Sequence, residues 1–160
     1  MSPVCDDLDT FAKAIPASLP IAGLDLGTRT IGVALSDRRH ATATPLTTLK
    51  RRKFGLDAAA LLELLAAREA GGIVLGLPRN MDGSEGPRCQ STRAFARNLS
   101  ALTVLPIAFW DERLSTVAAE RALLEADTSR RRRAEVIDHV AAGFILQGAL
   151  DRLVNLRQET

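Results

Sequence analysis

The chain has no tyrosine, one tryptophan and only 4% aromatic residues. A stacking platform for single-stranded bases needs several exposed rings, so base-by-base readout of a strand is not evident. Cysteine is equally scarce. Cys5 and Cys89 stand far apart, with no CxxC and no nearby histidine, which excludes a zinc site of ordinary spacing and gives no disulfide framework. They read as two reduced thiols of a cytoplasmic protein. His40 and His139 are the only histidines, and neither belongs to a Ser-His-Asp set. No apolar run reaches the 18 or so residues of a membrane span, so no membrane partner is expected. The opening stretch, MSPVCDDLDTFAKAIPASLP, is acidic early and lacks the basic start and apolar run of a secretory signal.

What is present is an ordinary globular composition: 160 residues, 46% hydrophobic and 25% charged, enough for one domain with a substantial core. The net charge of +2 is slight, but its distribution is uneven. Basic residues gather at DRRH (37–40), KRRK (50–53) and SRRRR (129–133). Any one run reads as a solvated loop; three in a small chain favour a polyanionic partner, recognised mostly through phosphates.

Residues 1–19 read as an N-terminal extension with one short helix, residues 20–152 as the main domain and 153–160 as a tail. From Ile21 the chain alternates, and Gly27 with Thr28 turns it back into TIGVALSD, a two-stranded hairpin. ATPLTTL (43–49) follows as a third strand, placed at an edge or bulge by Pro45. Asp57 can cap a helix running to about Ala70, with Gly71 and Gly72 ending it. IVLGL (73–77) is a short buried strand, PRNMDGSEGP a turn-rich loop, and Pro87 opens a helix to about Ser100. TVLPIAFW gives another strand. Ser115 or Thr116 can cap a helix through Glu125, and a final helix spans about 132 to 152. An antiparallel opening followed by alternating elements implies an α/β fold, a mixed sheet with helices on both faces.

Three carboxylate positions stand out. Alternation puts Gly23, Asp25 and Gly27 on one face of their strand and Ala22, Leu24 and Leu26 on the other. In the partner strand Gly32, Ala34 and Ser36 form a small face, while Ile31, Val33 and Leu35 form a bulky one. If the small faces coincide, Asp25 lies on an open, shallow floor that a metal ion and a phosphate could approach. The plain alternative is that Asp25 orders the following turn. Asp111 and Glu112 end a strand, the usual place for site residues in such sheets. Asp138 sits in the apolar part of the last helix. Carboxylates from separate elements suit hard divalent cations, and two such ions can activate water and stabilise the leaving oxygen of a phosphodiester.

The stretches GLDLGTRTIGVALSD, IVLGLPRNMDGSEGP, DERLST and VIDHVAAGFILQGALD, in this order, make the chain similar to the YqgF/RuvX family of ribonuclease H-like proteins. Members are described as Holliday junction resolvases and as pre-16S rRNA nucleases. The resemblance runs from about residue 21 to 151. It implies a five-stranded ribonuclease H-like sheet and a Mg²⁺ or Mn²⁺ site. Asp25, the Asp111–Glu112 pair and Asp138 match the family's acidic positions. Adjacent strand residues face opposite ways, so whether Asp111 or Glu112 is the ligand stays open, and His139 is given no role. The implied partner is nucleic acid: pre-rRNA, with branched DNA as the alternative, on or off ribosomal particles, acted on by a monomer or a homodimer. Arg130, Arg131, Arg132 and Arg133 open the last helix, where the dipole disfavours cations, so a phosphate-facing role is expected of them. Asn80 and Ser84 in the long loop are candidates to touch the substrate strand.

Two rivals belong to other classes. Sugar kinases and actin-like ATPases share the superfold and a similar DLGT turn, but need two lobes around the nucleotide. A non-catalytic nucleic-acid-binding ribosome-assembly factor could keep the fold without the chemistry; metal-dependent cleavage discriminates.

Overall fold

The computed structural model describes residues 4–114 and 130–158, the side chains of 130–138 excepted. The expected helix from Ser115 or Thr116 to Glu125 lies outside the described residues. Six strands form one mixed sheet: β1 (Val4–Cys5), β2 (Ile21–Leu26), β3 (Thr30–Ser36), β4 (Ala43–Lys50), β5 (Gly72–Leu77) and β6 (Ile107–Asp111). Their spatial order is β1-β6-β5-β2-β3-β4. β1, β6, β5 and β2 run parallel, and β3 and β4 complete an antiparallel meander. Four described helices pack on this sheet: α1 (Leu8–Ala14), α2 (Phe54–Ala67), α3 (Pro87–Ser100) and α4 (Arg130–Gln158).

The sixth strand is the first correction. Val4 and Cys5 pair with Ile107 and Ala108 and lengthen the sheet beyond the five strands expected. The expected short N-terminal helix is α1, capped by the Asp7 carboxylate, which accepts from the Thr10 amide at 2.7 Å. Its Phe11 is fully buried and Ile15 nearly so. This segment also explains Gly71 and Gly72, read from sequence as helix terminators. A Cβ on Gly72 would stand 2.7 Å from Ile15 and 2.8 Å from Phe11, and one on Gly71 2.9 Å from Leu19. The glycines make room for the N-terminal segment. Helix α2 ends earlier, in a Schellman motif with Glu69 in the left-handed region at φ 58°. The Ala70 amide donates to Leu65 O at 3.0 Å and the Glu69 amide to Ala66 O at 3.1 Å.

Asp57 is likewise not a cap. α2 starts at Phe54, and the buried Asp57 carboxylate accepts from the Arg52 amide at 2.8 Å, tying the helix to the chain leaving β4. Pro87 does open α3 as expected. β4 is an edge strand and pairs with β3 across a register shift beside Pro45, so both expected homes for that proline apply.

The two faces of the sheet differ in kind. Ala22, Leu24, Leu26, Ile31, Val33, Ile73 and Leu75 form one bulky core under α2 and α3. At roughly 1.5–3 kcal/mol for each fully buried aliphatic side chain, this layer is a main source of stability. The opposite face carries Gly23, Ala34, Val74 and Gly76 and receives α4. That helix buries Ala141, Ala142, Ile145, Leu146, Ala149, Leu150 and Leu153, a helical stripe that continues past the expected end at 152. The approach is close: a Cβ on Gly23 would lie 2.6 Å from Leu146 Cβ and 3.0 Å from Ala142 O. The small face is therefore a seat for the last helix, and the open floor expected from sequence is covered over much of its length.

Candidate active site

Asp25 is the penultimate residue of β2, on the small face, and is only 3% exposed. It pairs with Gly32, and Gly32 pairs with Thr48 of β4. On its other side β5 runs parallel, with Leu24 beside Leu75, so Gly76 is next in line. Asp25 thus stands in a row with a glycine on each flank. The two small faces coincide, which alternation within each strand had left as a condition.

Glu112 enters this row from β6. It begins a 3₁₀ turn directly after the strand, which breaks the alternation that would have fixed its direction. Its Oε1 lies 2.9 Å from where a Gly76 Cβ would be. The absent side chain of Gly76 is what lets a second carboxylate reach the Asp25 face. Asp111 is engaged otherwise. Arg113 binds it through Nη2 at 2.7 Å, Nε at 3.1 and 3.2 Å, and its backbone amide at 3.0 Å. The hydrogen bonds from the Arg113 side chain hold the Asp111 carboxyl below its ordinary range, against the upward pull of burial. Arg113 also donates to Met81 O at 3.4 Å and lies beside Gly83, so Asp111 anchors an arginine against the 78–86 loop.

The side chains of Asp138 and of Arg130 to Arg133 lie outside the described residues. The backbone of α4 does fix the height of the turn containing Asp138. His139 Nδ1 and Thr48 Oγ1 are 2.9 Å apart, and Thr48 belongs to the Gly32–Asp25 row. Gly143 packs on Pro45, and Gln147 accepts from the Ala43 amide at 2.9 Å further along. The helix therefore runs antiparallel to β4, with its 139 end at the level of Asp25. Among the described residues, no three acidic, histidine or cysteine side chains group closely enough to hold a metal.

Asn80 and Ser84 are exposed but bonded to each other, Nδ2 to Oγ at 3.0 Å, with the Asn80 amide donating to Ser84 O at 3.0 Å. Asp82 accepts from the Ser84 amide at 2.9 Å and from its hydroxyl at 2.6 Å. Gly83 takes φ 89°, which an L side chain rarely adopts. At the loop's end Glu85 holds Arg93 bidentately at 2.6 and 2.7 Å, and Arg79 at 3.3 Å. The loop is a self-bonded knot next to Asp111.

In the first basic cluster Asp37, Arg38 and Arg39 are exposed and His40 is buried. Arg38 pairs with Glu69 and donates to Ser18 O at 3.3 Å, while His40 is fully buried between Leu19 O and the Arg157 guanidinium, at 2.6 and 3.1 Å. In the second cluster Arg51 donates to Gly27 O at 2.8 Å and lies 5.9 Å from the Phe95 ring centre. Sequence reading missed Gly76, Thr48 and Arg113; Gly76, inside IVLGLPRNMDGSEGP, and Arg113, inside DERLST, lay in visible motifs, and Thr48 did not.

A parallel sheet extended by an antiparallel meander, with the buried Asp25 near the end of its first long strand, is a ribonuclease H-like α/β fold. The solved complex "T. thermophilus RuvC in complex with Holliday junction substrate" shares this fold, with TM-score 0.50 over 84% of this chain and 95% of that one at 12% identity. The model of the RuvX family, described as "Holliday junction resolvase", matches residues 20–152, and the chain belongs to that family. Relatives at high identity bear the name "Putative pre-16S rRNA nuclease". That of Ruegeria pomeroyi is 71% identical over 96% of this chain and 99% of its own. That of Paracoccus denitrificans is 70% identical over 94% and 95%. Among the described residues no helix is long and apolar enough to cross a membrane.

Proposed function

We propose that the protein is a divalent-metal-dependent endonuclease that hydrolyses phosphodiester bonds, with the 5′ end of pre-16S rRNA as its substrate. One observation carries the reading: Glu112 reaches across Gly76 to the face where the buried Asp25 stands. Carboxylate oxygens brought to one glycine-lined face of a sheet are hard donors, of the kind that fits Mg²⁺ or Mn²⁺. Asp25 and Glu112 would hold the ion, joined by Asp138, whose turn of α4 the His139–Thr48 bond keeps at the same height. Bound there, the cation supplies Lewis-acid stabilisation of charge on the phosphodiester oxygens. The chain's own part is to fix the carboxylates. The β2 ladder holds Asp25, the 3₁₀ turn aims Glu112, and Arg113 keeps Asp111 turned to the loop. Asp111 is accordingly the positioning residue of the pair and Glu112 the ligand.

The names of the relatives support RNA as substrate, and the family description supports a four-way DNA junction as the second reading. The test uses purified protein on an RNA spanning the pre-16S 5′ end and on a four-way junction, with Mg²⁺, Mn²⁺ or EDTA. The expected outcome is divalent-dependent cleavage of the RNA. Asp25→Asn should remain folded and lose at least about 100-fold in rate, since several kcal/mol of charge stabilisation go with the ligand. Full activity in folded Asp25→Asn overturns the site. Cleavage of the junction alone selects the second reading.

A further inference from the structure

At the far side of the Asp25 strand end, the β2–β3 turn meets the first turn of α3. Between them is a cavity of about 60 Å³ bordered by Gly27, Thr28, Arg51, Arg88, Ser91 and Thr92. We propose that this cavity binds one backbone phosphate of the nucleic-acid strand, a short step along the strand from the bond positioned at Asp25. The inference rests on the nuclease reading above only for which strand occupies it.

Size comes first. Small-molecule pockets run to roughly 300–1,000 Å³, so this one takes a group and not a whole nucleotide. Charge comes second: two arginines border it and no acidic residue does. Arginine's planar fork matches phosphate oxygens, and such charge-assisted bonds are stronger than neutral ones. The third point is the state of the donors. Among the described residues, no side-chain hydrogen bond or ion pair engages Arg88, Thr28 or Ser91. Arg51, by contrast, is fixed by Gly27 O and the Phe95 ring, so one arginine is held ready while the other is free to close. Thr92 is engaged with Arg88 O at 3.0 Å and serves as wall. Gly86, the N-cap of α3, offers no side-chain cap, so the first-turn amides add to the same positive end.

Gly27 follows Asp25 by two residues, roughly 7 Å at the rise of a strand. Asp25 faces α4, and the cavity lies toward α3. A strand crossing this end of the sheet can present one phosphodiester to the carboxylates and a neighbouring phosphate to the arginines. Two points of attachment fix register, as phosphate contacts do in general, without reading sequence.

The test separates this pocket from the chemistry. Binding of a single-stranded oligonucleotide is measured in EDTA over a range of salt, for wild type, Arg88→Gln and Ser91→Ala, all exposed changes. Loss of one phosphate contact should make the log–log salt slope shallower by about 0.7 in Arg88→Gln. Single neutral methylphosphonate linkages are then placed along the oligonucleotide. At one position the neutral linkage should weaken wild type about tenfold and have no further effect on Arg88→Gln. An unchanged slope with identical methylphosphonate profiles overturns the proposal. So does stabilisation of the wild type by inorganic phosphate or ATP alone with no sensitive linkage, which would mark a site for free anions. Cleavage with an unchanged slope leaves the nuclease reading standing and the pocket wrong; a changed slope without cleavage does the reverse.

Discussion

The two faces of the sheet are built from the same strands and do opposite work. Under α2 and α3, Leu24, Leu26, Ile31, Val33, Ile73 and Leu75 interlock as bulky neighbours. Under α4, Gly23, Gly32, Ala34 and Gly76 leave so little side chain that the helix sits almost on the backbone. The first face gains stability from volume. The second gives up volume, and in the space left Asp25 and Glu112 share a row that larger residues would close. A site in this fold is made by subtraction on one side of a sheet whose other side is packed to carry the load.

The sharpest way to break the contrast is to fill one face and hollow the other. Gly76→Val puts a side chain where Glu112 Oε1 stands 2.9 Å and Ile145 Cδ1 2.4 Å from the Cβ position. Overpacking of this kind costs roughly 1–3 kcal/mol. We expect cleavage to fall below detection while the variant still folds. Leu75→Ala, one residue earlier and on the other face, should cost about 2–5 kcal/mol in urea unfolding. Its cleavage rate per folded molecule should stay within a few-fold of wild type. Similar losses of activity in both variants would remove the distinction.

A smaller effect separates the neighbouring acids. Glu112→Gln should reduce cleavage by at least about 100-fold, on the scale of a lost charge-stabilising group. Asp111→Asn should cost only a few-fold, through a loosened Arg113 and loop. Metal affinity, followed by the Mn²⁺ dependence of the rate, should move in Glu112→Gln and hardly at all in Asp111→Asn. The reverse pattern would exchange their roles.

Asp111 also makes a pH prediction. Its folded carboxyl is held below the ordinary value near 3.9 by Arg113. A depressed acid contributes stability above its unfolded value and loses it as pH falls through the folded one. The difference in melting temperature between wild type and Asp111→Asn should be constant near neutrality and close below about pH 4. A difference that persists in strong acid would mean the pair is held by packing.

The smallest expected effect concerns Arg130 to Arg133. Replacing all four with serine should flatten the salt dependence of binding by roughly 0.7–0.9 per lost phosphate contact, evenly across sequences, without touching the cleavage step. An unchanged slope would leave them as solvated residues.

Much of this division was legible before the structure. Period-two alternation through Ile21–Leu26 and Ile31–Ser36 placed Asp25 on a small face and the leucines on a bulky one, and the pairing of Asp25 with Gly32 follows that reading. Turn chemistry located the hairpin and the start of α3 at Pro87. What stayed hidden had physical causes. The choice between Asp111 and Glu112 depends on a 3₁₀ turn that ends strand alternation between them. β1 has only two residues, too few to show a period. Gly71 and Gly72 carry the same one-letter signal whether they stop a helix or clear space for Phe11, and only the partner tells which. The bond between Asn80 and Ser84 was not legible either, because a bond between two loop residues leaves no mark on composition.

The two residues of β1 have a consequence for where this protein can be cut. By pairing with Ile107 and Ala108, Val4 and Cys5 cover the outer rim of β6, whose amides and carbonyls would otherwise face water beside an apolar strand. Open rims of that sort recruit strands from other molecules. A version trimmed to begin at residue 20 would keep Asp25 and Glu112. It would also uncover the rim, empty the space that Phe11 and Ile15 fill against Gly72, and take Leu19 O away from the buried His40. Such a trimmed protein should self-associate, and its loss of activity would report stickiness instead of chemistry.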